Sequence, residues 1–128
     1  MIQATVNRFL EATLDLTVHG PDGQEEILEF KIDTGFDGAL TLHSAVVAAL
    51  GLERLKAGRV ILADGSETSF PICHASVEWG GVRREVDVYV TDSILLLGMA
   101  MLAGHEVRME VVPDGTATIT PLGPLMQG

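Results

Sequence analysis

The sequence has a single cysteine, Cys73, in 128 residues. An intramolecular disulfide is therefore impossible, and a stapled secreted framework is excluded. Positive charge is scarce, with 8 Lys and Arg against 18 Asp and Glu. Such a surface repels nucleic-acid phosphates and anionic membranes, so neither is expected as a partner. The densest basic spot is Arg83-Arg84, and the acidity reads first as solubility. Long apolar runs are also missing. Ile94-Leu95-Leu96-Leu97 is far too short to cross a bilayer. Met1 to Arg8 carries no basic segment leading into a long apolar run, so no secretory signal is read there. A cytoplasmic protein is expected. No Gly-rich phosphate loop and no His-Glu-x-x-His is present.

What is there is close to half apolar (47%), enough for one core without metal or disulfide. A single domain over residues 1–128 is expected, with its core at about 12–120. The apolar pattern is mostly of period two. Leu14, Leu16 and Val18 alternate with polar residues, as do Leu28, Phe30 and Ile32, around a turn at 19–23; this is a hairpin. Further strands are expected over 39–42, 59–63, 69–79, 82–90, 94–97, 106–112 and 116–120. Asp-Gly pairs at Asp22, Asp64 and Asp114 mark hairpin turns. Ser44 is positioned to cap a helix over 45–50 that Gly51 ends, and 99–102 reads as a second short helix. The class is all-β: a small, partly closed barrel with one or two short helices. The tail over 121–128 has little to fix it and reads as a segment that frays or serves an interface.

One stretch carries chemistry: Ile32-Asp33-Thr34-Gly35-Phe36-Asp37-Gly38. An apolar strand delivers Asp33 to its end. Gly35 permits a sharp turn and close backbone approach, and the Thr34 hydroxyl is suited to bond backbone and lock that turn. Two further elements follow in order: the hairpin Ile61-Leu62-Ala63-Asp64-Gly65-Ser66, and Leu96-Leu97-Gly98 leading into Met99 to Leu102.

This ordered trio, covering roughly Leu14 to Val112, resembles the retropepsin-like aspartic proteases, closest to their small single-domain prokaryotic type. The resemblance implies a retropepsin-like barrel and an aspartic endopeptidase with no metal or organic cofactor. It implies Asp33 as the catalytic carboxylate, supported by Thr34 and Gly35. Phe36, Ala63, Asp64 and Gly65 then border an extended protein or peptide substrate, with 63–65 at the tip of the flap. The family's chemistry needs two aspartates. This chain has one Asp-Thr-Gly, so the second carboxylate is expected from a second copy in a homodimer. Thr34 is then expected to bond across the dimer axis. The other reading of the same fold is a silent peptide-binding or dimerisation module. A third is a processing enzyme dedicated to its own precursor or one partner.

The sequence departs from the family at Phe36, where a small residue is usual, and at Asp37, which adds negative charge beside the motif. Phe36 has two readings: filling part of the substrate groove, or packing under the loop. Asp64 also has two, facing the groove or acting as a solvated turn residue, and turn chemistry favours the second. Gly98 reads as a site where two backbones meet. Cys73 and His74 point to opposite faces of a strand, so Cys73 is expected to be a small buried residue, not a ligand. His19, His43 and His105 read as turn or loop residues. Trp79 reads as closing a hairpin core, and Met99, Met101 and Met109 as core filler.

Overall fold

The computed structural model describes residues 1–123, apart from the Val60 side chain. Its strands are β1 (Ile2–Val6), β2 (Ala12–His19), β3 (Glu25–Ile32), β4 (Leu40–Leu42), β5 (Arg54–Ile61), β6 (Glu67–Trp79), β7 (Val82–Val90), β8 (Leu96–Leu97), β9 (His105–Met109) and β10 (Thr116–Pro121). Two short helices, α1 (Ser44–Ala49) and α2 (Met99–Leu102), complete it. The strands form one sheet in the order β5-β6-β7-β4-β8-β3-β2-β1-β10-β9. The sheet curls until Val18 and His19 of β2 pair with Val77 and Ser76 of β6. That pairing closes a circuit through β6, β7, β4, β8, β3 and β2, so the barrel is partly closed, with β5 and β9 left as edges.

The period-two pattern explains the core. Leu14, Leu16 and Val18 point inward from β2, Phe30 and Ile32 from β3, and Val86, Val88 and Val90 from β7. Phe30, Leu40 and Leu97 are fully buried where β3, β4 and β8 meet. Each such side chain contributes roughly 1.5–3 kcal/mol relative to exposure. β1, too short to announce itself by alternation, adds Ala4 and Val6 to the same core. Cys73 is buried, and burial pushes its thiol up from the ordinary value.

Several local expectations are corrected. Ser44 does not cap α1; it is the first helical residue, and His43 is the cap, without a side-chain bond. The cap is supplied from outside: the Asp92 carboxylate accepts the Ser44 N–H at 2.9 Å and its hydroxyl at 2.8 Å. Gly51 ends the helix at φ 67°. The strand expected over 94–97 shortens to β8, because the Thr41 hydroxyl, buried, donates to the Ile94 carbonyl and accepts the Leu96 N–H. The strand expected from 106 to 112 ends at Met109. The hairpin expected from 59 starts earlier, at Arg54. His19 is no turn residue. It ends β2, is buried, and its Nδ1 faces the Arg83 guanidinium at 3.0 Å. His105 opens β9 and accepts the Trp79 indole N–H at 3.1 Å. Met101 is core, but Met99 and Met109 are exposed. The expectation for the tail lies, from residue 124 on, outside the described residues. Among the described residues no helix is long and apolar enough to cross a membrane.

Candidate functional site

β3 runs antiparallel to β2 and parallel to β8, with Lys31 and Ile32 opposite Leu96 and Leu97. Asp33 follows at once, its N–H donating to the Leu97 carbonyl at 2.9 Å. The ladder thus fixes Asp33 to the end of a strand hydrogen-bonded on both sides. The chain then turns. The Gly35 N–H donates to Asp33 Oδ1 at 2.9 Å, and the Phe36 N–H donates to the Asp33 carbonyl at 3.1 Å. One carboxylate oxygen is thereby oriented by backbone. The Thr34 hydroxyl makes no bond among the described residues and stays exposed. The turn is therefore locked by the Asp33 carboxylate, not by Thr34 as expected.

The start of α2 clamps the same loop. Gly98, Met99 and Ala100 donate their N–H groups to the carbonyls of Ala39, Phe36 and Gly38 at 2.8, 2.8 and 3.2 Å. A Cβ on Gly98 would lie under 3.0 Å from both the Gly38 and Phe36 carbonyl oxygens. Two backbones do meet there, as expected. Arg84 secures the far end of α2, donating to the Met101 and Ala100 carbonyls at 2.9 and 3.0 Å.

Phe36 does pack on the loop. Its ring covers Gly38 and Gly98 and meets Tyr89 edge-on at 5.5 Å. Tyr89 in turn stands 6.5 Å from Phe70 on β6. This aromatic run joins the Asp33 loop to the middle of the β5–β6 hairpin, where Phe70 pairs with Gly58. Tyr89 was missed in the sequence. The signal was there, since it alternates with the buried valines of β7 and so takes the opposite face.

Ala63, Asp64 and Gly65 lie at the exposed tip of that hairpin. The Leu62 N–H bonds the Ser66 carbonyl, and Gly65 turns at φ 85°. Asp64 is folded back on Ser66, accepting its N–H at 2.9 Å and its hydroxyl at 2.5 Å. These bonds hold the Asp64 carboxyl below its ordinary value and mark a turn residue. Among the described residues no hydrogen bond or ion pair joins the tip to Asp33.

Beside the loop, Lys31 pairs with Glu11 at 2.8 Å. The Glu11 carboxylate raises the Lys31 ammonium from its ordinary value, with a smaller contribution from the charge of Asp33, and Lys31 in turn lowers Glu11. A groove of about 450 Å³ borders the loop, lined by Asp37, Gly38, Arg84, Asp87 and Tyr89 among others. A cavity of about 650 Å³, lined in part by His19, Gly20, Leu52 and Arg83, lies at the opposite end of β3 from Asp33. Among the described residues no group of three or more His, Cys, Asp or Glu is placed to hold a metal ion.

The fold has solved counterparts. A retropepsin-like aspartic protease from Rickettsia conorii matches over 94% of this chain and 89% of its own, with a TM-score of 0.59 and 20% identity. EIAV protease, complexed with the inhibitor HBY-793, matches over 72% of this chain and 85% of its own, with a TM-score of 0.51 and 18% identity. No protein-family model matches the chain, and no curated protein matches it. At these identities the likeness establishes the fold: the barrel is retropepsin-like.

Proposed function

We propose that this retropepsin-like chain is an aspartic endopeptidase that works as a homodimer, with Asp33 of each copy forming one catalytic dyad. The observation that carries the reading is the placement of Asp33. It ends a doubly paired strand, in a loop clamped by the N–H groups of residues 98–100, with one oxygen oriented by Gly35. A carboxylate used only as a turn residue needs none of that external support. The two solved proteins of like fold are proteases, the Rickettsia conorii protein an aspartic one, which favours the same chemistry.

The chain has one Asp-Thr-Gly, and Asp37 lies too close along the chain to Asp33 to supply the second half, so a two-fold axis supplies the other carboxylate. Two carboxylates at that separation cannot both ionise, so the pair holds one proton. The ionised member takes a proton from water, whose oxygen attacks the scissile carbonyl carbon. The protonated member gives its proton to the carbonyl oxygen. The tetrahedral adduct then collapses, the C–N bond breaks, and the amine leaves with a proton from the dyad. Thr34, exposed and with no hydroxyl bond among the described residues, is positioned to bond across the axis. Phe36 and the hairpin tip 63–65 border an extended substrate that adds as a strand.

The test is cleavage of an unbiased peptide mixture from acidic to neutral pH, with cut bonds identified by mass spectrometry. Wild-type cleavage that Asp33→Asn abolishes is expected. Cleavage that survives Asp33→Asn would refute the dyad. Inactivity of both proteins would leave the silent binding module as the better reading.

A further inference from the structure

The cavity of about 650 Å³ at the far end of β3 has no part in the chemistry proposed for Asp33. One wall is the end of β2 and the start of its turn, His19 to Pro21. A second is the connection from α1 into β5, residues 51–55, and the floor is the outer face of β6 and β7. The two walls meet where a Cβ on Gly20 would lie under 3.0 Å from the Leu50 carbonyl oxygen. Beside that contact the space stays open. Val77 and Val86 point into the core. Ser76, Arg83 and Glu85 therefore take the opposite face, where they line the cavity.

Arg83, Glu85 and Glu53 bring charge of both signs to this lining, yet none of the three has an ion pair among the described residues. Arg83 even has Glu78 opposite it in the β6–β7 ladder. Its guanidinium turns instead to His19, whose Nδ1 stands 3.0 Å from Nη2. A guanidinium only donates, so Nδ1 accepts and the ring proton is on Nε2. His19 is 4% exposed. The Glu25 and Glu78 carboxylates lie 3.4 Å from its two nitrogens, but Nε2 remains without a hydrogen-bond partner. The ring's one hydrogen bond among the described residues thus goes to Arg83 and pins a corner of the guanidinium. Its Nη1 and Nε groups are left for a planar anion.

We propose that this cavity binds a small zwitterion of the α-amino acid type with an apolar side chain. Its carboxylate sits on Arg83, its ammonium on Glu85 or Glu53, and its side chain against Leu52, Leu55 and Pro21. Arg83 and Glu85 are two residues apart on one face of β7, roughly 7 Å along the strand, so one compact molecule can touch both. A dianion such as phosphate would meet two carboxylates, and a simple cation would meet the guanidinium. A ligand with both charges complements all three groups. Leu55 is 53% exposed at the rim, and an apolar side chain laid on it would cover it. The volume is within the range of sites for small molecules, about 300–1,000 Å³. This site does not rest on the endopeptidase reading.

The test is amide NMR of the labelled full chain, titrated with L-leucine, leucyl-leucine, N-acetyl-leucine and leucinamide. Leucine or leucyl-leucine should shift the amides of Gly20, Gly51, Ser76 and Arg83 and saturate by about 10 mM. Whichever binds tighter identifies the source, free amino acid or short peptide. N-acetyl-leucine lacks the ammonium and leucinamide the carboxylate, so each should bind about tenfold more weakly or worse. Arg83→Gln, and Glu53→Gln with Glu85→Gln, should weaken leucine to a similar degree. If Arg83→Gln disturbs the fold, leucinamide against leucine still tests the carboxylate contact. Asp33→Asn should bind like the wild type even if it abolishes cleavage. No saturable shift with either zwitterion, or N-acetyl-leucine and leucinamide binding as tightly as leucine, would overturn the proposal. Binding lost in Asp33→Asn would place the ligand in the Asp33 groove and overturn it as well. Saturable binding without any Asp33-dependent cleavage supports this site and sinks the endopeptidase reading alone.

Discussion

Replacing Gly98 by Ala tests the clamp on the Asp33 loop. The added methyl would sit under 3.0 Å from the Gly38 and Phe36 carbonyl oxygens. Neither is the yielding end of a side chain. Both already accept N–H groups from Ala100 and Met99. Gly98 has φ −109° and ψ −171°, extended backbone open to any residue, so the penalty is steric and not conformational. Relief requires residues 36–38 to move on the order of 1 Å in a close-packed interior. Overpacking of this kind costs about 1–3 kcal/mol, and a buried bond left unmade adds about 1–3 kcal/mol. A total near 4 kcal/mol is a large share of the roughly 6–19 kcal/mol expected for this length, yet leaves the chain folded. With a urea slope of about 2 kcal/mol per M, the midpoint should fall by about 2 M. The single tryptophan, Trp79, is buried with its N–H on His105 and reports the transition by fluorescence. Gly123→Ala is the control, because among the described residues nothing lies within 4 Å of its added methyl. A Gly98→Ala stability within about 0.5 kcal/mol of wild type would refute the close-approach argument.

Thr41→Val keeps the shape but strips the hydroxyl that joins Ile94 and Leu96. It leaves the Leu96 N–H unpaired at a cost of about 1–3 kcal/mol, and a wild-type urea midpoint would contradict this. Glu11, Asp64 and Asp92 are all held below the ordinary carboxylate value, by Lys31, Ser66 and Ser44 respectively. Their contributions are therefore present above that ordinary value and lost as pH falls through the lowered ones. Lys31 is raised, so its contribution holds below the ordinary lysine value and fades as pH rises through the raised one. The urea midpoint should drop on acidification, and Glu11→Gln should flatten that acid limb; unchanged midpoints between about pH 7 and about pH 2 would contradict the assignment.

Strand identity was legible where one face is apolar and the other is not. Leu14, Leu16 and Val18 alternate cleanly, and β2 forms as read. The limits of β7 also follow from its valines. Boundaries failed where a contact from elsewhere in the chain decides them. β8 is short because Thr41, more than fifty residues away, takes the bonds on either side of Leu95. Asp92 caps α1 from a distant loop, so the local Ser44 signal misplaced the cap by one residue. His19 sits beside Gly20, which suggested a turn. The pairing of β2 with β6 instead carries it into the wall, where Arg83 from β7 meets it.

The site divides in the same way. Asp33-Thr34-Gly35 could be read as a turn because its chemistry is in its side chains and its glycine. What holds that turn could not, because the donors at 98–100 are backbone N–H groups, which every residue but proline owns. Only Gly98 leaves a trace in the sequence, since an approach that close tolerates no side chain. Phe36 is the other face of this constraint. With Gly38 and Gly98 both lacking side chains, a flat space opens over the loop, and the ring fills it and reaches Tyr89. A small residue at that position, as in the familiar retropepsins, would leave Tyr89 without its edge-on partner. The bulk of Phe36 and the two bare glycines therefore form one packing solution: a side chain on Gly38 would meet the ring, and one on Gly98 would meet both the ring and the carbonyl oxygens beside it.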